Sequence, residues 1–138
     1  MFPGKLIYSS PQEVDVFENT KAFSGFSVDD LDRARQFYEG TLGLRVNDEN
    51  GLLGLHIDGG GDILVYPKPD HTPATFTVLN FPVDDIDRAV DDLTGSGIEM
   101  VRYEGMSQDE KGIMRDDFGP PIAWFLVPAG NVLSVLQE

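Results

Sequence analysis

Residues 23–34 read FSGFSVDDLDRA, and residues 78–89 read VLNFPVDDIDRA. Phe26/Phe81, Val28/Val83, Asp29/Asp84, Asp30/Asp85, Asp32/Asp87, Arg33/Arg88 and Ala34/Ala89 are identical, and Leu31/Ile86 is a conservative exchange. No other feature constrains the fold as much, because a repeat means one supersecondary unit used more than once. Two copies 55 residues apart (Asp30 to Asp85) point to two small units sharing a core rather than to a solenoid.

Around each copy the same order of elements can be read. In the first unit, 22–28 reads as a strand. Asp29 or Asp30 then caps a helix, since a carboxylate accepts the free amides of a first turn and suits the positive end of the helix dipole. Leu31, Ala34, Phe37 and Tyr38 form its apolar stripe. Glycines at 40 and 43 end it. Strands follow at 44–46, 52–58 and 62–67, separated by turns at 47–51 and at the triple glycine 59–61. PKPDHTP, 67–73, is too rich in proline for a helix or a central strand and reads as the linker.

The second unit repeats the order. A strand spans 75–83, and Asp84 or Asp85 caps a helix with the stripe Ile86, Ala89, Val90 and Leu93. Strands follow at 98–103, 122–128 and 132–137, with a long polar connection over 104–121. Loops of that length are often lids or binding loops. The expectation is an α+β fold of two βαβββ modules in one domain: an N-terminal extension (1–21), module 1 (22–67), a linker (68–74) and module 2 (75–138). A chain of 138 residues can bury about two thirds of its unfolded surface.

The net charge of −14 repels phosphate backbones and anionic lipid, so neither nucleic acid nor membrane is an expected partner. The chain has no cysteine, which removes disulfides, thiol nucleophiles and Cys–metal sites. MFPGKLIYSS lacks the apolar core of a signal peptide, and a cytoplasmic address is the expectation.

Paired modules that each carry V-D-D-[LI]-D-R-A resemble the vicinal oxygen chelate superfamily, also called the glyoxalase/bleomycin resistance protein/dioxygenase superfamily. VDDLDRARQFYEGTLGL (28–44) is close to that family's helix signature, and GPPIAWFLVPAGNVLSVLQ (119–137) resembles its C-terminal signature. The resemblance covers about residues 22–137. It implies two modules whose sheets curl into half-barrels around a cavity, commonly in a homodimer.

In metal-dependent members, four His or Glu ligands in that cavity chelate a divalent ion. The first lies seven residues before the capping Asp. In this chain that position holds Phe23, and its counterpart in module 2 holds Val78. The other two lie four residues past the last hairpin glycine, at Val65 (Leu64 with a one-residue slip) and Ser134. Hydrocarbon groups cannot ligate a cation, and one hydroxyl is a poor ligand for transition metals. The resemblance therefore implies no metal and no other cofactor here, and glyoxalase I, extradiol dioxygenase and fosfomycin thiol-transferase chemistry are not expected.

Other residues carry two readings each. His56, on the strand 52–58, is the best acid/base group if its face lines the cavity, or else a hydrogen-bonded sheet histidine. Trp124 offers a ring for stacking or for the core. Tyr66 could present a phenol at the cavity mouth or pack at a surface. Ser134 has no nearby His–Asp pair to activate it, so a hydrogen bond is the most it offers. Met106, Met114, Arg115 and Phe118 lie on the long connection, where Arg115 could meet an anionic group. His71, in the linker, reads as solvated.

The leading expectation is a metal-independent small-molecule binding protein that sequesters an aromatic or amphipathic compound, with Phe23, His56, Val65, Val78, Trp124, Ser134 and Arg115 as ligand-binding candidates. The alternatives are a metal-free lyase or isomerase with His56 as base, and a dimerising module without a ligand.

Overall fold

The computed structural model describes residues 15–116 and 119–138. After a short 3-10 turn (Asp15–Phe17), the elements are β1 (Gly25–Val28), α1 (Leu31–Arg35), β2 (Arg45–Glu49), β3 (Leu52–His56), β4 (Asp62–Pro67), β5 (Thr77–Val83), α2 (Ile86–Gly95), β6 (Ile122–Leu126) and β7 (Val132–Gln137). The first fourteen residues of the N-terminal extension and the residue Phe118 lie outside the described residues.

Of each pair of candidate caps, the second aspartate acts. Asp30 and Asp85 are extended, at φ −139° and −138°, and each accepts a hydrogen bond at 3.1 Å from the amide three residues on, Arg33 and Arg88. Those amides have no partner inside the helix, which is why a carboxylate is favoured there. α1 then widens into a π turn over Gln36–Thr41, closed by Leu42 N to Phe37 O at 2.9 Å. Phe37 and Tyr38 are both buried within this turn, their rings edge-to-face with centroids 5.2 Å apart. The first hairpin is tighter than the sequence suggests. β2 runs to Glu49, and Asn50 (φ 54°) and Gly51 (φ 85°) alone make the turn. Two positive φ values in succession are what a two-residue hairpin needs, and Asn-Gly adopts them readily.

Two sheets result. The first has the order β1-β4-β3-β2 and the second β5-β7-β6. In each, the strand before the helix runs parallel to the last strand of its module, and the other pairings are antiparallel. Strand alternation sends one face of each sheet to a helix. Phe26, Val28, Leu53, Leu55 and Val65 are buried on the α1 side; Ala123, Phe125, Leu133 and Val135 join Ile86 and Val90 of α2. Each fully buried Leu, Ile or Val contributes about 1.5–3 kcal/mol.

Module 2 departs from expectation at 98–103. Only Met100 bridges Phe125, with Val101 N donating to Trp124 O at 2.8 Å. The reason lies on the outer side of this segment. Gln108 Oε1 accepts from Tyr103 N at 2.7 Å while its Nε2 donates to Val101 O at 2.9 Å and Gly112 O at 2.8 Å. A side chain thus satisfies the edge that a longer strand would leave open.

The linker joins the modules. Asn131, 2% exposed, accepts from Ala74 N at 3.0 Å and donates to Ser27 O at 2.9 Å. Gly130 (φ +87°) sits so close to Pro73 that a Cβ would lie 2.8 Å from its Cγ. Arg33 adds a bond across the modules to Pro128 O at 3.2 Å. No helix among the described residues is long and apolar enough to cross a membrane.

Candidate functional site

The face of the first sheet turned away from α1 carries a row of paired positions: Gly25 beside Leu64, Leu64 beside Gly54, and Gly54 beside Asn47. Glycines on both sides of Leu64 leave a trough across the sheet. Gly25 is also required by close approach, since a Cβ there would lie 3.0 Å from Leu64 O. The trough opens into a groove of about 550 Å³. Ala22, Phe23 and Leu64 supply its hydrocarbon lining and Lys21, Glu49 and Asp62 its charged lining, with Gly54 on the floor beside Glu49 and Asp62. A volume of this size suits a small organic molecule.

This geometry settles where each candidate residue lies. Phe23 is in the groove, 67% exposed. Val65 is not, because its register partner is Phe26 and it is fully enclosed beneath α1. The groove position belongs to Leu64, the one-residue alternative. His56 lies beside the groove. Its Nδ1 is 3.2 Å from Asp62 Oδ1 and its Nε2 is 3.4 Å from Asp58 Oδ1, so both ring nitrogens face carboxylates. It lines a separate cleft where the end of β3 meets Phe81 and Pro82 of β5.

In module 2, Trp124 and Ser134 are cross-strand partners. Ser134 is wholly buried and its hydroxyl donates to Asn80 Oδ1 at 2.5 Å. The Trp124 ring takes the edge of Tyr103 at 5.3 Å. Val78 sits at a register shift in β5, half-buried against the core.

Arg115 does not line this groove. It donates to Asp87 Oδ2 of α2 at 2.8 Å and lies 3.5 Å from Asp109. With Lys111, which pairs with Asp91 at 3.1 Å, it straps the long connection to the outer face of α2. The Arg115 hydrogen bond holds the Asp87 carboxyl below its usual value. For Asp109, burial works against ionisation, but the Ile113 and Lys111 amides and Arg115 outweigh it and hold that carboxyl low as well. This part of the connection is therefore held against α2, and none of its described residues lines the groove.

Sequence reasoning missed several groove residues. For Gly54, an isolated glycine inside an apolar strand is the available signal, since it marks a close approach or a missing side chain. Glu49 and Asp62 carry no such signal. His71 is also more than a solvated linker residue. Its Nε2 meets Ala129 O at 2.9 Å and its Nδ1 meets Ser27 Oγ at 2.7 Å. A carbonyl only accepts, so Nε2 carries a proton and the Ser27 hydroxyl donates to Nδ1 when the ring is neutral. The pair ties β1 and the linker to the β6–β7 turn.

The four slots at which metal-dependent relatives would hold an ion contain a phenyl group, an alkyl group at 64 or 65, a second alkyl group and a hydroxyl already donated to Asn80. Such a donor set does not fit a divalent cation. Among the described residues, no three His, Asp or Glu side chains are grouped to hold one.

A sequence model of the Glyoxalase/Bleomycin resistance protein/Dioxygenase superfamily matches residues 22–123. No curated protein is significantly similar in sequence. Among solved structures, the chain is similar to an antibiotic binding protein from Streptomyces sp. CB03234 (TM-score 0.63, 22% identity, 87% of this chain and 98% of that one). It is also similar to a genomically encoded fosfomycin resistance protein from Listeria monocytogenes (0.66, 12%, 87% and 93%). A third is lactoylglutathione lyase from Agrobacterium tumefaciens (0.62, 20%, 87% and 96%). At these identities the likeness is one of fold.

Proposed function

We propose, from the premise that this chain belongs to the Glyoxalase/Bleomycin resistance protein/Dioxygenase superfamily, that it binds a small aromatic or amphipathic molecule without a metal ion. One observation carries the reading: the groove of about 550 Å³ is walled by Phe23 and Leu64, hydrocarbon side chains at two slots where relatives' ligands would sit. An apolar cavity with a few polar groups is the usual form of an organic-ligand site. An antibiotic binding protein on the same fold supports it. Lyase or isomerase chemistry through His56 is not favoured, because both of its ring nitrogens already face carboxylates.

The protein acts as a homodimer in this reading. Phe23 and Phe76 are each 67% exposed, and a second copy closing over the sheet faces would cover such rings. Light scattering that finds a monomer at micromolar concentration refutes this part.

A thermal-shift screen of aromatic and amphipathic compounds tests the binding. A true ligand at 100 times its Kd adds about 2.7 kcal/mol to stability. The shift should vanish in Gly54→Leu, whose side chain rises from the groove floor. A stoichiometric transition metal in purified protein, or a screen without any hit, overturns the reading.

A further inference from the structure

We propose that Glu49 and Asp62 make the groove selective for an amphipathic organic cation, an aromatic or alicyclic body bearing an ammonium or amidinium group; this rests on the groove being the binding site. The lining of the groove is mixed in chemistry. Ala22, Phe23 and Leu64 supply hydrocarbon. Glu49 and Asp62 converge on the space above Gly54. A Cβ at position 54 would lie 3.2 Å from Glu49 Cγ and 3.4 Å from Asp62 Oδ2. Asp62 also accepts from Asn47 Nδ2 at 3.4 Å, which orients its carboxylate over the same floor.

The charges around this space do not cancel. Lys21 at the rim is the single base lining it, against two acids. His56 beside it is shared between Asp62 and Asp58. An organic cation over Gly54 would meet carboxylates on both sides and the exposed Phe23 ring, whose face attracts cations. An organic anion would meet like charge at the same point. The net charge of −14 adds a long-range field that draws cations to the protein. A bare divalent ion is not the intended guest, since no three His, Asp or Glu side chains among the described residues are placed to hold one.

Fluorescence anisotropy tests this with ethidium, an aromatic cation, fluorescein, an aromatic dianion, and Nile red, a neutral dye. Ethidium should bind and fluorescein should not. Glu49→Gln and Asp62→Asn should each weaken ethidium about three- to fivefold, the size of a solvent-exposed ion pair. Asp84→Asn removes the same charge from an exposed site on module 2 and should leave affinity unchanged. Fluorescein binding as tightly as ethidium overturns the proposal. So does an Asp84→Asn effect as large as that of Glu49→Gln, which would mean diffuse attraction. Nile red binding that is lost in Gly54→Leu, alongside ethidium binding indifferent to both acids, keeps the groove and refutes its selectivity. If no dye binds, the groove reading itself fails.

Discussion

Asn131→Ala should cost more than its position in a surface turn suggests. The side chain is 2% exposed and makes one bond to each neighbouring segment: Ala74 N donates to Oδ1 at 3.0 Å, and Nδ2 donates to Ser27 O at 2.9 Å. Truncation leaves one amide and one carbonyl without partners in a part-buried junction. Each such group costs about 1–3 kcal/mol, so the sum is about 2–4 kcal/mol once some relaxation is allowed. Domains of this kind have only about 5–15 kcal/mol in total. Asn131→Asp separates the two bonds, since a carboxylate can still accept from Ala74 but faces the Ser27 carbonyl with like polarity; it should be no milder than Ala. Urea denaturation followed by circular dichroism gives the free energies, and hydrogen exchange at the Ala74 amide reports the local bond. A loss below about 0.5 kcal/mol, the level of an ordinary surface change, with Ala74 still protected, refutes the clasp.

Tyr38→Phe should be neutral or stabilising by up to about 1 kcal/mol, because the buried hydroxyl has no hydrogen-bond partner. Burial also raises the Tyr38 pKa, so above about pH 10 the unfolded chain loses its phenolic proton first and stability falls as pH rises further. The phenylalanine variant should lose less in that range, and identical alkaline limbs would count against the reading. In acid the sign reverses. Asp87 and Asp109 are held below their usual values, so their contribution is present above the ordinary carboxylate range and is lost as pH falls through and below about 4. Hydrogen exchange over residues 104–116 should rise there, and at higher pH in Arg115→Gln; an unchanged profile in that variant would show that the strap holds nothing.

The parts of the fold that were legible are those fixed by local chemistry. A capping carboxylate acts within three residues. The last strand of each module could be bounded to the residue because one follows Gly61 and ends at Pro67 and the other follows the turn at Gly130 and Asn131. What failed depended on distant partners. Residues 98–103 have a strand's composition, yet Gln108 takes the edge. Arg115 looked free for a ligand, yet Asp87 reaches it from 28 residues away. His71 bonds Ser27 and Ala129 across 44 and 58 residues, separations that no local pattern encodes.

The site was half legible for a related reason. Residues 62–67, DILVYP, place apolar side chains on both faces of β4, so alternation could not decide whether Leu64 or Val65 faces the groove. Pairing with Gly25 and Phe26 decides it. The mismatch with a metal ion is indifferent to that choice, since either residue is a hydrocarbon. Ligand charge is not. Glu49, Gly54 and Asp62 come from three strands and meet only because β2, β3 and β4 pair in this register. A slip of β3 by one residue would turn Leu53 into the groove in place of Gly54 and fill the space between the two carboxylates. The mismatch of the four slots with a metal ion could therefore be read along the chain, whereas the proposed selectivity for a cation rests on pairing across the sheet.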